Sequence, residues 1–171
     1  MNKVSIIFTK SRNPLKLTSR LISWRIRRPY SHVAIVFFSP WLGLDLVIQA
    51  SHGMVHCIPL EHMNRDNVVV KKFDLCLTQE QIARGIRWAV RMCGCGYSEL
   101  GAIAATIPLF RALGVGLDGD DEFICSEFAA RFMEETMGQP LNHMRGDDDY
   151  IDPALLEDLI ADLEIETKAL A

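Results

Sequence analysis

The sequence has no excess of basic residues, no even set of cysteines and no long apolar run. Its 18 Lys and Arg residues are outnumbered by 22 Asp and Glu residues, which gives a net charge of -4. A general nucleic-acid binder usually carries a basic field, so we predict no nucleic-acid partner. Five cysteines cannot all pair within one chain. Their scatter is unlike a secreted disulfide scaffold, so we expect a reducing compartment and mostly buried thiols.

The sequence also lacks an obvious membrane span or leader. Its longest apolar stretch covers residues 100–110 and is shorter than the roughly 20 residues that cross a bilayer. The apolar run near the N-terminus breaks at Thr9 and Lys10, and no small-residue cleavage site follows it. We therefore expect a protein that is cytoplasmic at synthesis. Incorporation into a phage virion is an alternative fate.

The N-terminal half is rich in short β-type segments. With 171 residues, the chain suits one domain over residues 1–171 with a sizeable core. A helix is predicted over residues 15–26, with Leu17, Leu21, Ile22 and Trp24 available to pack. Strands are predicted over residues 4–8, 32–38, 44–50, 54–58 and 68–73. We predict that these strands form an antiparallel meander.

The hydrophobic period changes after the last of these strands. Thr78 and Gln81 match a capping box, and apolar residues then recur at helical spacing up to the glycines at 94 and 96. Further helices are predicted over residues 99–113, over residues 123–137 with Gly138 as the terminating residue, and from Asp152 and Pro153 onward. Strands followed by helices predict an α+β fold, with an antiparallel sheet packed against helices.

Cys125 lies near the start of the predicted helix over residues 123–137. Unpaired N–H groups of a first helical turn favour a thiolate and lower its pKa. The same groups can face the oxyanion that forms on a bound carbonyl. Cys125 is therefore a candidate acyl-transfer nucleophile, although for this cysteine taken alone a buried structural thiol is the favoured interpretation.

Two polar residues lie on neighbouring predicted strands. His32 opens the strand over residues 32–38, where a histidine can project into a cleft and act as a general base. Gln49 lies on the next strand and can hold the far nitrogen of that imidazole, which fixes its tautomer. A core histidine and a solvent-facing glutamine remain the alternatives.

Together these residues belong to a series of motifs that spans nearly the whole chain. The series runs through Ser-Ile-Ile-Phe from residue 5, Tyr-Ser-His-Val-Ala-Ile-Val around His32, and Val-Ile-Gln-Ala around Gln49. It continues through Gly-Met-Val-His-Cys-Ile-Pro-Leu-Glu from residue 53, Gly-Tyr-Ser from residue 96, and Phe-Ile-Cys-Ser-Glu-Phe-Ala around Cys125. It ends in Ile-Asp-Pro-Ala-Leu-Leu from residue 151. In this order the series resembles the circularly permuted NlpC-type papain-like cysteine hydrolases, the YiiX-like group, with lecithin:retinol acyltransferases as more distant kin.

The resemblance implies a permuted papain-like fold and a role for each matching residue. Cys125 matches the nucleophile and His32 the base. Gln49 stands where the family commonly has a glutamate as the third, orienting residue. His52 or Glu61 could take that place if the strand register differs.

Three further residues are candidate substrate contacts, namely Tyr97, Ser31 and Ser126. Tyr97 is followed by Ser98, where family members often have aspartate, and a purely structural tyrosine is the alternative. The family resemblance implies no cofactor.

The other clusters of polar residues give weaker indications of function. His52, His56, His62 and Cys57 match no zinc spacing, so we predict no metal. Cys93 and Cys95 are expected to be packing thiols, and the acidic run at residues 147–149 a solvated loop. The basic run at Arg20, Arg25, Arg27 and Arg28 either steers an anionic substrate or phospholipid surface, or forms a solvated helix face.

These observations leave three hypotheses for function. The first is a thiol hydrolase of amide bonds, with peptidoglycan peptides as the leading substrate and a cell-wall amidase or endopeptidase as the leading activity. The second keeps the chemistry but takes a lipid acyl ester or thioester, with the basic run and the apolar residues 101–113 contacting a membrane weakly. The third is a non-catalytic module in a phage tail or another assembly.

Overall fold

A computed structural model describes residues 3–97, 122–141 and 151–169 of the chain. The predicted helix over residues 99–113, Ser98 and the acidic run at residues 147–149 lie outside the described residues. The described part is a mixed α+β structure, as predicted. Its strands are β1 (Val4–Ser11), β2 (His32–Ser39), β3 (Leu44–Ser51), β4 (Met54–Pro59), β5 (Asn67–Leu75), β6 (Gly96–Tyr97) and β7 (Glu122–Phe123). Its helices are α1 (Leu17–Ile26), α2 (Leu60–Asp66), α3 (Gln79–Arg91), α4 (Cys125–Met137) and α5 (Pro153–Ala169).

The strands form one sheet in the order β5-β1-β2-β3-β4-β6-β7. All neighbouring strands are antiparallel except β6 and β7. The predicted meander is correct for β1 to β4 but wrong for β5, which pairs with β1 through the partners Ile6 and Phe73. The free edge of β4 is occupied by β6 at Met54 and Gly96. The short helix α2, which the sequence pattern did not predict, lies between β4 and β5 in the chain.

The two faces of the sheet follow the two-residue period of its strands. On β1 and β2, Val4, Ile6 and Phe8 with Val33, Ile35 and Phe37 belong to the main core, which also contains residues of α3, α4 and α5. The alternate residues Ile7, Ala34, Val36 and Val47 form a smaller cluster with Met63 of α2. A one-residue change in register would therefore exchange the two cores.

Helix α4 is held at its C-terminal end by α3. The predicted capping box of α3 is confirmed, because Thr78 and Gln81 exchange both hydrogen bonds. A Cβ atom at Gly85 would lie 2.0 Å from Thr136 Oγ1, so only glycine allows the two helices to approach this closely. Arg84 donates to the carbonyl oxygens of Glu135 and Thr136 at 2.7 and 2.6 Å. A cation at the C-terminus of a helix is favourable, so these contacts fix the position of α4.

The N-terminal boundary of α4 differs from the prediction. The helix starts at Cys125 rather than Phe123, because residues 122–123 form β7 and pair with β6. Cys125 is therefore the first helical residue, with Ile124 as the capping residue.

The segment before β2 is fixed by a polar network. Tyr30 is fully buried and donates a hydrogen bond to Glu157 of α5. Lys71 of β5 also donates to Glu157, and Arg28 Nε lies 3.6 Å from its carboxylate. Since Tyr30 lies two residues before His32, this network positions the first residue of β2.

Helix α1 packs less of its surface than predicted. Ile22 is its buried residue and contacts Ile124, whereas Leu17 and Trp24 are 75% and 76% exposed. The prediction that these two side chains pack is therefore wrong. A helix that packs by one narrow side leaves its opposite side in solvent.

The prediction of mostly buried thiols is also wrong. Cys125 is buried and Cys95 is partly buried, but Cys57, Cys76 and Cys93 are exposed. Cys76 and Cys93 follow the last residues of β5 and α3, in connecting segments that the cores do not cover.

Candidate active site

Cys125 lies on α4, and its thiol is close to the backbone N–H of Val33, the residue that follows His32 on β2. The backbone N–H groups of Val33, Ser126 and Cys125 itself act to lower the pKa of this thiol. Val33 pairs with Phe8 of β1, whereas β3 pairs with β2 only from Ile35 onward. The structure therefore brings the predicted nucleophile to the residue that follows the predicted base.

The electrostatic environment of Cys125 differs from the expectation for a first helical turn. Burial raises the pKa of the Cys125 thiol, and the three backbone N–H groups only partly offset this effect. Desolvation penalises the thiolate more than the helix N-terminus stabilises it. The predicted low pKa is thus wrong, and the resting group is a neutral thiol.

His32 is oriented by Gln49. Its Nε2–H donates to Gln49 Oε1 at 2.8 Å. This hydrogen bond places the proton of the neutral imidazole on Nε2 and leaves the lone pair on Nδ1 as a proton acceptor. The predicted pair of His32 and Gln49 is therefore formed.

Gln49 is in turn held by His56, which lies directly opposite it on β4. Gln49 Nε2 donates to His56 Nε2 at 3.1 Å, and His56 Nδ1 donates to the carbonyl oxygen of Met54 at 3.3 Å. The amide of Gln49 therefore has a defined orientation, with its oxygen toward His32 and its nitrogen toward His56. The line of hydrogen bonds runs from His32 through Gln49 and His56 to the backbone.

His32 is poorly basic in this environment. Burial lowers its pKa to about 4, the hydrogen bond to Gln49 opposes that change, and Lys16, His52 and His56 lower the pKa further. A neutral amide cannot compensate the charge of an imidazolium as a carboxylate would. Both His32 and Cys125 are therefore neutral at pH 7.

The lowered pKa of His32 predicts a pH dependence of stability. The ordinary pKa of histidine is 6.5, so between pH 6.5 and about 4 the unfolded chain binds a proton that the folded chain does not. The free energy of unfolding should therefore fall as the pH drops from 6.5 to about 4, by up to about 3 kcal/mol from this group.

Urea unfolding of the wild type and of His32→Gln at several pH values measures this contribution. Glutamine does not titrate, so the difference between the two proteins should shrink on the acid side of this range. A difference that stays constant from neutral pH to pH 4 would contradict the assignment.

A polar pocket of about 70 Å³ lies beside the imidazole. Its wall includes His32 and Gln49 together with Ser31, Tyr97 and His52, and the other lining residues are Ser11, Lys16, Thr18, Ser19, Ile22, Ser51 and Asn67. Two predicted substrate contacts, Ser31 and Tyr97, are thus on the pocket wall. Ser31 Oγ also lies 2.5 Å from Ser19 Oγ, which connects the start of β2 to α1.

The other candidates occupy different positions. Ser126 is fully buried, and its hydroxyl donates to the carbonyl oxygen of Ile151 at 2.6 Å. Its side chain therefore connects α4 to the segment before α5, and its backbone N–H faces Cys125. Glu61 is exposed on α2, away from the imidazole, and His52 lines the pocket without taking the place of Gln49.

Sequence reasoning considered His56 only as a metal ligand and missed its contact with Gln49. The two-residue turn at His52 and Gly53 predicts this contact between His56 and Gln49. Two residues between paired strands place Ser51 opposite Met54, and therefore Gln49 opposite His56. Lys16 was also missed, because it lies in a turn before α1 that no motif covers.

Comparisons with known proteins assign no family. No protein-family model matches the chain, and no curated protein matches it significantly. Among the described residues, no group of three or more His, Cys, Asp or Glu side chains is placed to hold a metal ion. None of the helices within residues 3–97, 122–141 and 151–169 has the length and apolar character needed to cross a membrane.

Proposed function

We propose that the protein is a thiol hydrolase of amide bonds, with Cys125 as nucleophile, His32 as general base and Gln49 as the orienting residue. One observation carries the proposal: Gln49 Oε1 lies 2.8 Å from His32 Nε2, and the backbone N–H of the next residue, Val33, acts on the thiol of Cys125. The motif series from Ser5 to Ile151 supports a permuted NlpC-type papain-like fold. Peptidoglycan peptides are the substrate class that this resemblance favours.

The proposed reaction follows from the protonation states. The neutral imidazole of His32 accepts the thiol proton on Nδ1 as Cys125 Sγ attacks the carbonyl carbon. The N–H groups of Cys125 and Ser126 then face the oxyanion. His32 returns the proton to the leaving amine, which leaves a thioester on Cys125. His32 next deprotonates water, which hydrolyses the thioester to the free acid and the thiol.

This route differs from that of a preformed thiolate and imidazolium pair. With the pKa of Cys125 raised and that of His32 near 4, charge separation in the free protein is unfavourable. Proton transfer therefore accompanies attack on the bound carbonyl. Slow reaction with thiol reagents in the absence of substrate is the expected consequence.

The pocket wall supports a polar substrate. Hydroxyl, amide and ammonium groups line most of it, with Lys16 as its cation and Ile22 as its aliphatic side chain. Peptide groups can use such donors and acceptors, whereas an acyl chain gains little from them.

The direct test compares two substrate classes. Purified wild-type protein is incubated with peptidoglycan fragments and, in parallel, with phospholipid esters, and Cys125→Ala is the control for each. Peptide release that requires Cys125 supports the proposal. Ester hydrolysis alone would support the acyl-ester alternative, and no turnover of either class would favour a non-catalytic role.

The contact between Gln49 and His56 yields a separate prediction. A glutamate at position 49 would present two equivalent oxygens, but an amide must keep its oxygen toward His32. His56 supplies the acceptor that fixes this orientation. We expect His56→Phe to lower kcat/KM up to about tenfold, the effect of one hydrogen bond. In ¹⁵N NMR spectra, the same change should shift the imidazole of His32 from the Nε2–H tautomer toward a mixture.

The Gln49→Glu background provides the matched control. With a carboxylate at position 49, His56→Phe should leave the tautomer of His32 unchanged, because either oxygen accepts the proton of Nε2–H. A His56→Phe effect of equal size in both backgrounds would mean that His56 acts only through packing.

A further inference from the structure

Helix α1 carries an apolar stripe on its solvent side. Leu17, Leu21 and Trp24 recur at spacings of four and three residues and therefore lie on one side of the helix, with Leu21 partly buried between its exposed neighbours. Leu17 and Trp24 are 75% and 76% exposed, and Leu15 just before the helix is 79% exposed. The buried side of α1 contains Ile22, so the stripe is not needed for the fold. Contiguous exposed apolar side chains of this kind mark an interaction surface.

The charged residues of α1 and of the segments next to it in the chain are all basic. The first 44 residues contain eight of the 18 basic residues and none of the 22 acidic residues, an asymmetry that the overall charge of -4 conceals. Arg20 and Arg25 flank the stripe on α1, and Lys16 and Arg27 lie at its two ends. All four are exposed and form no ion pair with a described residue. Arg28, in contrast, pairs with Asp158 at 2.9 Å.

We propose that α1 docks the protein on an anionic membrane surface. The helix would lie in the plane of the interface, with Leu17, Leu21 and Trp24 among the lipids and its arginines at the headgroups. An interfacial helix combines these features, since apolar burial and attraction to anionic lipid both contribute to binding. Tryptophan favours the boundary between headgroups and acyl chains.

Other occupants fit this surface less well. Nucleic acid would bind the cations but would leave the exposed leucines and Trp24 in water. A second copy that presented the same face would bring two sets of arginines together, and like charges oppose such an interface. An anionic bilayer satisfies both the apolar stripe and its cationic border.

Docking would also place the pocket near the membrane. Lys16, Thr18, Ser19 and Ile22 belong to α1 or its first turn, and all four line the pocket beside His32. Substrates held at a membrane surface would therefore be close to the imidazole. The docking surface itself does not depend on catalysis, so it can be tested in Cys125→Ala.

Vesicle flotation of the full-length protein tests the proposal. We expect binding to vesicles of phosphatidylcholine with phosphatidylserine, weaker binding at high salt, and little binding to phosphatidylcholine alone. Changing any one of Arg20, Arg25 and Arg27 to Gln should weaken partitioning onto the vesicles about fivefold, and changing all three should weaken it about 100-fold. Leu17→Ser with Trp24→Ser should abolish binding, with circular dichroism confirming the fold of each variant.

The chain offers a matched control at the opposite end of β2. Trp41 and Leu42 are 97% and 61% exposed in the turn between β2 and β3, roughly 25 Å from His32 along the strand. Trp41→Ser with Leu42→Ser removes the same residue types and should bind vesicles like the wild type. Equal loss in both double variants would overturn the proposal. Binding without a preference for anionic lipid would also overturn it, as would tighter binding to DNA or RNA that survives the loss of Leu17 and Trp24.

Discussion

Cys125→Ala should abolish hydrolysis, with a loss in kcat/KM of at least about 10³-fold, because no other group can form the acyl intermediate. The side chain is buried at the first residue of α4, where three backbone N–H groups act on its thiol. Alanine removes one sulfur atom from this site, so the variant should keep its fold. Steady-state assays on the substrate class identified for the wild type measure the effect.

Thiol labelling provides a second readout for the same residue. Because Cys125 is buried whereas Cys76 is exposed, alkylation in the absence of substrate should be slower at Cys125 than at Cys76. Cys76→Ala is the matched control and should retain full activity. Full activity in Cys125→Ala would exclude Cys125 as the nucleophile.

His32→Ala should lower kcat/KM by about 10²- to 10⁴-fold, the usual contribution of a general base. The wild type should show an acid limb in its pH profile with a midpoint near pH 4, because the base is active only when the imidazole is neutral. Activity should then stay level through neutral pH, since a neutral thiol is the resting form. A bell-shaped profile with two limbs would instead indicate a thiolate and imidazolium pair.

Two variants test whether the acid limb of the pH profile reports the titration of His32. Gln49→Glu introduces a carboxylate beside Nε2 of His32, which favours the imidazolium and should move the midpoint to higher pH. His62→Gln changes an exposed histidine on α2 and should leave the midpoint unchanged. Circular dichroism at each pH confirms that the protein is folded throughout the profile. An unmoved midpoint in Gln49→Glu would show that the limb does not report His32.

Patterns among residues close in sequence predict most of the helices and strands. The compact β-rich run from His32 to Phe38, bounded by prolines, identifies β2, and the Thr78 to Gln81 capping box marks the start of α3. Both patterns involve only residues close in sequence, so they do not depend on the tertiary fold. The pairing of β5 with β1 joins residues 56 to 71 positions apart, from Ser11 with Asn67 to Val4 with Leu75, and no local pattern encodes it. The same limit explains the missed helix α2, whose seven residues bury only Met63.

The motifs alone predict that Cys125, His32 and Gln49 form the candidate site, and the hydrogen bond between His32 and Gln49 confirms one of these contacts. Only the tertiary structure decided their chemical state. The burial of Cys125 raises the pKa of its thiol, and the environment of His32 lowers the pKa of the imidazole, so a neutral pair replaces the expected thiolate. Tertiary packing also left Leu17 and Trp24 of α1 in solvent. Burial and desolvation depend on what surrounds a residue in space, and the order of residues in the chain does not specify that environment.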